Sequence, residues 1–250
     1  MTKKKMQYGI CRLCKTETDL SFEHIPPKSA FNKTTRYFSV PFKEYTKSKN
    51  WLNYKPKGKV NQGGLGYYSL CEKCNGFLND NYVRAYADWA KFGMAAISKS
   101  QTNYNVWSVY DKNPFRILKQ IISMFISMND PHFSKSYPEL LKFVNEPESR
   151  NLSERYKVFV YLKSRGQIRT INWSATNFYG QVCEFAFSPF GYILNIDNQN
   201  GIDHLTEITE WKNYTDERSH DFDIGLYDYP THLPIPTHYA TKEEIESKHN

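Results

Sequence analysis

The chain has 250 residues, 40% hydrophobic and 16% aromatic, which is enough apolar mass for a packed core and excludes a wholly disordered protein. The richest apolar run, at 117–128, is short and contains Lys119, so the sequence predicts no membrane span. The basic start MTKKKMQYG leads into no apolar signal segment, and a cytoplasmic location is expected.

The net charge of +7 is concentrated at one end of the chain. Residues 1–60 contain 14 Lys and Arg against 4 Asp and Glu, whereas the remaining residues contain 19 basic and 22 acidic side chains. Such asymmetry favours a polyanionic partner for the first quarter, because each neutralised phosphate releases condensed counterions. A solvated lysine-rich surface is the alternative.

Four of the five cysteines form two C-x-x-C pairs, CRLC and CEKC. Two residues between thiolates let both sulfurs face one ion, and two such pairs complete a tetrahedral set of ligands for structural Zn²⁺. Redox C-x-x-C motifs usually occur singly, so the paired arrangement favours zinc. The predicted zinc ligands are Cys11, Cys14, Cys71 and Cys74. Cys183 lies in the apolar run VCEFAF and is expected to be a buried small side chain.

The segment FEHIPPKS, residues 22–29, places Glu23 beside His24 between the two cysteine pairs. Such a pair is compatible with a hydrogen-bonded core detail, a metal-binding pair or half of a nuclease site. On an extended segment, neighbouring side chains point to opposite sides. In a nuclease site, strand twist and an irregular loop would therefore have to bring both groups toward one phosphate.

Residues 33–66 form a basic insertion before the second cysteine pair. Aromatic residues alternate with lysines, and Glu44 is the only acid between positions 33 and 59. Lysines that contact phosphates, with rings on which bases stack, are typical of nucleic-acid binding. A surface loop whose rings cover a hydrophobic seam is the alternative. The predicted nucleic-acid contacts are Lys28, Lys33, Arg36, Lys43, Lys47, Lys49, Lys55, Lys57 and Lys59.

The rest of the chain changes from helical to strand periodicity. The strand YYSLC leads to CEKCN, and apolar residues then recur in steps of four and three, which predicts a helix from Asn75 to about Ser98. Helices are also predicted at 114–129 and 138–145. From residue 155, the runs RYKVFVYLK, QIRTINW, QVCEFAF, GYILNID and HLTEITEW are typical of short strands, and DERSHDFD and YPTHLPIPTHY are expected to be loops.

This order of elements predicts an α+β fold, with a zinc-stabilised module followed by helices and an antiparallel sheet. Residues 1–100 are expected to form the zinc-bound module. Residues 101–250 are expected to form an α+β domain for recognition, dimerisation or regulation, through which a homo-oligomer or a protein partner would bind.

The ordered combination of C-x2-C, EHIPPKS and C-x2-C-N resembles the HNH endonucleases, also called His-Me finger or ββα-metal nucleases, of the zinc-knuckle type. The match covers about residues 8–80, with Pro27 and Ser29 at the family's proline and serine positions. The resemblance implies a treble-clef-like ββα-metal module that hydrolyses phosphodiester bonds of nucleic acid, with DNA as the first expectation. It also suggests a role in bacterial antiviral defence.

The resemblance assigns roles to four residues. His24 matches the general base that takes a proton from the attacking water, and Glu23 matches the acidic position, more often Asp, that contacts a catalytic Mg²⁺ or Mn²⁺. Asn75 matches the amide that helps to hold this metal. Asn79 lies four residues later on the same helical face and would support Asn75 or contact substrate. Gly66 departs from the pattern, since the family often has asparagine at that position.

Two other functions fit the same sequence. A catalytically silent zinc module that binds nucleic acid or a protein partner would keep the cysteines and the basic insertion without needing His24 or Asn75. An interaction protein, in which zinc only staples the N-terminal region, would have no salt-dependent affinity for nucleic acid.

Overall fold

A computed structural model gives the fold and describes residues 7–40, 57–176, 179–198, 201–202, 204–215 and 218–230, together with residues 44, 47 and 247. The architecture is α+β with antiparallel sheets, which confirms the predicted class. Within these ranges, no helix combines the length and apolar character needed to cross a bilayer.

The N-terminal part is a three-stranded antiparallel sheet in the order β1-β2-β5, with a small β3–β4 ribbon inserted between β2 and β5. A helical turn at Lys28–Asn32 follows β2. The strands, in chain order, are β1 (Gln7–Ile10), β2 (Glu17–His24), β3 (Tyr37–Ser39), β4 (Lys59–Asn61) and β5 (Gly66–Cys71).

Five α-helices follow within the described ranges, and the three predicted helical segments are confirmed. The first predicted segment begins earlier than expected and is divided by a π-helical turn at Asn79–Val83. One short helix was missed, because six residues are too few for a helical period to be visible. The helices are α1 (Glu72–Leu78), α2 (Arg84–Lys99), α3 (Pro114–Met128), α4 (Pro131–Ser136) and α5 (Pro138–Asn145).

The C-terminal part contains a five-stranded antiparallel sheet, ordered β11-β7-β10-β9-β8, and a separate ribbon of β6 and β12. Four of the five predicted strands are confirmed. The strands are β6 (Tyr104–Lys112), β7 (Tyr156–Leu162), β8 (Arg169–Thr176), β9 (Gly180–Phe187), β10 (Phe190–Ile196), β11 (Thr206–Glu207) and β12 (His220–Tyr227).

Two predictions in this part were wrong. The run HLTEITEW forms only the two-residue β11, because a 3₁₀ turn at Thr209–Asn213 replaces the rest of the strand. The segment DERSHDFD is not all loop, since β12 begins at His220 and pairs with β6. Of the proline-rich segment, all but the first two residues lie outside the described part of the chain.

The largest hydrophobic cluster of the described residues connects the two halves of the chain, and two smaller clusters lie in the C-terminal part. Buried residues from β5, α2, α3 and β10 share the largest cluster, among them Leu70, Trp89, Phe125 and Tyr192. Helix α3 is buried on nearly all sides and packs against α2, α5 and the strands β5, β9 and β10. A helix that is apolar all round is expected in such a central position.

Candidate functional site

Four cysteine sulfurs lie together where β5 meets α1. Cys11 and Cys14 come from the turn between β1 and β2, and Cys71 and Cys74 come from the end of β5 and the first turn of α1. All four thiols are free, their Sγ atoms lie within 4.8 Å of one another, and those of Cys14 and Cys71 are 3.9 Å apart. Tetrahedral zinc with Zn–S bonds of about 2.3 Å requires a spacing of this kind. The four predicted ligands are therefore positioned to bind a metal.

Hydrogen bonds inside the cluster favour negative charge on one sulfur. The backbone N–H of Cys71 donates to Cys11 Sγ over 3.3 Å. The Cys74 thiol has the largest effect, because its hydrogen bond lowers the pKa of Cys11 to about 4 and raises the pKa of Cys74 itself. Thiolate is the metal-binding form of cysteine, so the cluster already prefers one ligand in that form.

Helix α1 packs on strands β2 and β5 and places Asn75 against the face of β2 that carries Glu23. Antiparallel pairing places Ser21 opposite Leu70 and Glu23 opposite Tyr67, with a bulge between the two pairs. Residues two apart in a strand share a face, and α1 packs on both strands. The side-chain Nδ2 of Asn75 donates to Ser21 Oγ over 3.1 Å, which holds Asn75 on the face that carries Glu23.

The Glu23 carboxyl group is buried, with 6% of the residue exposed. No group of the described residues hydrogen-bonds or ion-pairs with this carboxyl group. Burial raises the pKa of Glu23 to about 8. A buried carboxylate is unfavourable unless it is protonated or meets a cation, so this environment is typical of a cation ligand or a proton-transfer group.

The imidazole of His24 lies on the other face of β2. It contacts Phe22 edge to face, with ring centroids 4.9 Å apart, and its Nε2 lies 3.0 Å from the carbonyl oxygen of Gly63. Because a carbonyl only accepts, this contact assigns the proton to Nε2 and leaves the lone pair of Nδ1 free. Burial, with a smaller effect from Lys28, lowers the pKa of His24 against the opposing effect of Gly63. The ring is therefore a neutral base at physiological pH.

The structure does not join His24 to Asn75 directly. Across the described ranges, no hydrogen bond links the two side chains, since each bonds on its own face of β2. Asn79 is exposed at the start of the π-helical turn, and its backbone N–H donates to the carbonyl oxygens of Asn75 and Gly76. Such turns are frequent at functional sites, although this one places Asn79 in no contact with Glu23 or His24 among the described hydrogen bonds.

Sequence reasoning missed Asn32, which fixes the loop around His24. Asn32 is fully buried, its Nδ2 donates to the carbonyl oxygens of Pro26 and Leu65 at 2.7 Å each, and its Oδ1 accepts from the Leu65 N–H at 2.8 Å. These bonds fasten the segment that follows His24 to the turn that precedes β5. An asparagine in a lysine-rich run carries no sequence signal for this role.

Gly64 lets this turn approach the histidine. Its φ is +98°, and a Cβ atom there would lie against the Asn32 carbonyl and 2.6 Å from Cδ2 of His24. Glycine is needed both for the left-handed conformation and for the close approach. The imidazole, Asn32 and the turn therefore form one packed unit.

Several predicted nucleic-acid contacts surround this unit. Lys28, Lys33, Arg36, Lys57 and Lys59 are all exposed, on the turn after β2 and on the β3–β4 ribbon and its flanks. The predictions for Lys43, Lys49 and Lys55 lie outside the described residues.

Lys47, another predicted nucleic-acid contact, is ion-paired with an acidic residue. It is exposed and lies 2.6 Å from Glu44 Oε1 in an ion pair. An exposed ion pair of this kind contributes little to stability.

Fold and site together define an α+β protein in which four cysteines are positioned to bind a metal, and in which β2 ends with a buried acid followed by a histidine. No protein-family model, curated protein or solved structure matches this chain. Its function is therefore argued from the chemistry of the site.

Proposed function

We propose that this chain is a metal-dependent endonuclease of the HNH type that hydrolyses phosphodiester bonds of nucleic acid, DNA first. In this proposal residues 1–100 form a treble-clef-like module stapled by structural Zn²⁺, and the protein acts in bacterial antiviral defence, as the resemblance suggests. The observation that carries the proposal is the setting of His24, whose Nε2 is engaged by the Gly63 carbonyl oxygen while Nδ1 is free.

His24 would act as the general base. Nδ1 accepts a proton from the water that attacks phosphorus, and the ring becomes an imidazolium. The Gly63 carbonyl oxygen then accepts from a more acidic Nε2–H, which strengthens this hydrogen bond as the charge develops. The lowered pKa of His24 keeps the ring unprotonated, and thus competent, near neutral pH.

Glu23 and Asn75 would hold the catalytic Mg²⁺ or Mn²⁺. Both offer oxygen donors, which hard cations prefer, and the bond from Asn75 Nδ2 to Ser21 leaves Oδ1 of the amide free to bind. Such an ion stabilises negative charge on phosphoryl and leaving oxygens. A phosphate at the end of β2, where the two faces meet, would lie between these ligands and His24.

The exposed basic residues would hold the rest of the substrate. Lys28, Lys33 and Arg36 lie on the turn and loop that follow His24, Lys57 lies just before β4, and Lys59 lies on β4. These cations would contact phosphates that flank the cleaved bond. Affinity should therefore fall steeply with salt.

The nuclease proposal is tested with His24→Ala. Plasmid DNA, single-stranded DNA and RNA are incubated with the zinc-loaded protein and Mg²⁺ or Mn²⁺, and cleavage is followed on gels. Loss of the base should slow cleavage by about 10²- to 10⁴-fold. His132→Ala is the matched control, because His132 is an exposed histidine on α4 with no role in the proposed reaction, and this variant should cleave like the wild type.

A second function is supported by the separation of His24 and Asn75 on opposite faces of β2. A silent zinc module would bind nucleic acid through the same lysines without cleaving it. Equal cleavage by the wild type and His24→Ala, or no cleavage of any substrate with either metal, would contradict the nuclease proposal. Salt-dependent binding without cleavage would then identify the silent module.

A further inference from the structure

Phe31 is an exposed aromatic residue in a left-handed backbone conformation. Its φ is 67° and its ψ is 10°, and 48% of the residue is exposed to solvent. Bulky residues rarely adopt positive φ, and exposure of a large ring forgoes the stabilisation that burial would supply. Residues kept in such conformations cluster at ligand-binding sites.

The position of Phe31 is fixed beside His24. Phe31 directly precedes Asn32, whose three side-chain hydrogen bonds hold the loop. A Cβ atom built at Gly64 would touch both the Asn32 carbonyl oxygen and the His24 ring, so these two groups lie close together. Because Phe31 directly precedes Asn32, its backbone is one residue from this contact with the imidazole. The hydroxyl of Thr35 also donates to the Phe31 carbonyl oxygen over 3.3 Å.

The surroundings of Phe31 select the kind of ligand. Lys28, Lys33 and Arg36 are exposed on the same turn and loop, and residues 25–43 contain no Asp or Glu. None of the described aromatic rings stacks on the Phe31 ring. An uncovered ring among cations suits a ligand that combines a flat apolar face with negative charge, as a nucleotide does.

We propose that Phe31 is the base-stacking residue of the site, on which an unpaired base packs next to the phosphate that faces His24. The preferred substrate is then single-stranded or locally unpaired nucleic acid, because bases inside a duplex already stack on their neighbours. This inference rests on the proposed function for the position of the phosphate, whereas stacking itself is a property of binding.

The test compares Phe31→Asn with Phe31→Tyr in a His24→Ala background, so that the substrate persists. Asparagine tolerates positive φ and removes the ring, whereas tyrosine keeps it. Fluorescence anisotropy gives the Kd for a labelled single-stranded oligonucleotide and for a duplex of the same length, at several salt concentrations. Phe31→Asn should weaken single-strand binding about tenfold or more, should weaken duplex binding less, and should leave the melting temperature unchanged or raised. Phe31→Tyr should bind like the parent.

Lys33→Gln is the matched control, since it removes a charge from the same loop. Lys33→Gln should reduce, by about 0.7, the steepness with which the logarithm of the association constant for the single strand falls with the logarithm of the salt concentration. Phe31→Asn should leave that salt dependence unchanged. Unchanged single-strand affinity in Phe31→Asn, or an equal loss for both substrates, overturns the proposal.

Photocrosslinking provides a test that needs no substitution at position 31. A single-stranded oligonucleotide containing 5-iodouracil is irradiated with the His24→Ala protein, and the crosslinked peptide is identified by mass spectrometry. A crosslink at Phe31 supports the proposal, and a crosslink pattern without Phe31 overturns it. If His24→Ala cleaves as fast as the wild type, the proposed hydrolysis fails, while the binding comparison still decides the role of Phe31.

Discussion

At the scale of single residues, Glu23 has an environment that is unfavourable for a carboxylate with no bound cation. Its carboxyl group is buried at 6% exposure, and burial raises its pKa to about 8. The folded protein therefore holds a proton on Glu23 over a pH range in which the unfolded chain releases it. The free-energy cost of ionising a buried carboxyl group is typical of functional sites, where a bound ligand compensates for it.

We predict that, in the absence of Mg²⁺ and Mn²⁺, Glu23→Gln stabilises the protein increasingly as pH rises. Between the unfolded pKa of 4.5 and the folded value of about 8, the folded state binds more protons than the unfolded state, so the stability of the wild type falls as pH increases. The amide does not titrate. The difference in the free energy of unfolding should therefore grow by about 1 kcal/mol per pH unit up to pH 8 and then level off.

Urea denaturation from pH 5.5 to 9, with zinc held constant, measures this difference. Asp19→Asn serves as the control, because Asp19 lies exposed on the same strand and should show no comparable trend. Saturating Mg²⁺ or Mn²⁺ should narrow the gap by stabilising only the wild type. A difference that is constant with pH would contradict the assigned burial of the charge.

At the scale of elements, the turn before β5 decides where the imidazole points. The carbonyl oxygen of Gly63 accepts the hydrogen bond from His24 Nε2, and the absence of a side chain at Gly64 leaves room for the imidazole ring. Asn32 fastens this turn to the segment after β2 through Leu65. The orientation of the His24 imidazole thus depends on backbone contacts from a turn about 40 residues away in the chain.

We predict that Gly64→Ala impairs cleavage more than Gly63→Ala. Both glycines have positive φ, at +90° for Gly63 and +98° for Gly64, so each alanine should cost about 1–2 kcal/mol of stability. Only at Gly64 does the new Cβ meet the Asn32 carbonyl and the His24 ring, whereas the Cβ at Gly63 meets nothing within 4 Å. A displaced base should lose about tenfold or more in kcat/KM.

Steady-state cleavage and thermal melting of both variants test this prediction. Gly64→Ala should also melt at a lower temperature than Gly63→Ala, because only its Cβ overlaps the backbone of Asn32. Cleavage is therefore compared at a temperature at which both variants are folded, where the loss of activity should be larger in Gly64→Ala. Equal activity in the two variants would show that the position of the His24 ring does not depend on contact with the turn.

At the scale of the whole molecule, the cysteine cluster ties the N-terminal sheet to the helical core. The guanidinium of Arg12 hydrogen-bonds to the Ser127 carbonyl oxygen at the end of α3, and Asn145 Nδ2 donates to the Leu13 carbonyl oxygen over 3.3 Å. Arg12 and Leu13, which make these two contacts, lie in the turn between Cys11 and Cys14. A metal at the cluster would therefore stabilise the attachment of this turn as well as its local shape.

We predict that Cys74→Ser abolishes zinc binding and lowers stability by several kcal/mol. Cys74 is buried in the cluster, and a serine hydroxyl is a poor replacement for a thiolate ligand. Cys183→Ser is the control, because Cys183 is also a buried cysteine but lies outside the cluster, next to Asn129. It should lose some stability and keep its zinc.

Metal content by atomic absorption and urea denaturation with and without a chelator provide the measurements. The chelator should destabilise the wild type and Cys183→Ser but have little further effect on Cys74→Ser. Full zinc occupancy in Cys74→Ser would contradict a four-cysteine site.

Sequence periodicity was sufficient for the α+β class, the three longer helices and four strands of the main sheet, because helical and strand repeats are local properties. It was insufficient for β12 and for most of the predicted strand at HLTEITEW. The polar and apolar residues of those segments are compatible with either a strand or a turn, and contacts with the neighbouring elements decide between the two. The strand β12 exists because β6 offers a complementary edge, and β11 is short because the chain turns into a 3₁₀ segment.

The sequence by itself determined which four cysteines are candidate metal ligands, the adjacency of an acid and a histidine, and the location of the basic charge, since these follow from spacing and composition. Only the tertiary structure decided that Glu23 is buried while His24 is held by Gly63, and that Asn32 and Gly64 support that arrangement. Burial and hydrogen-bond partners depend on segments distant in the chain, and these surroundings give each ionisable group its pKa and its chemistry.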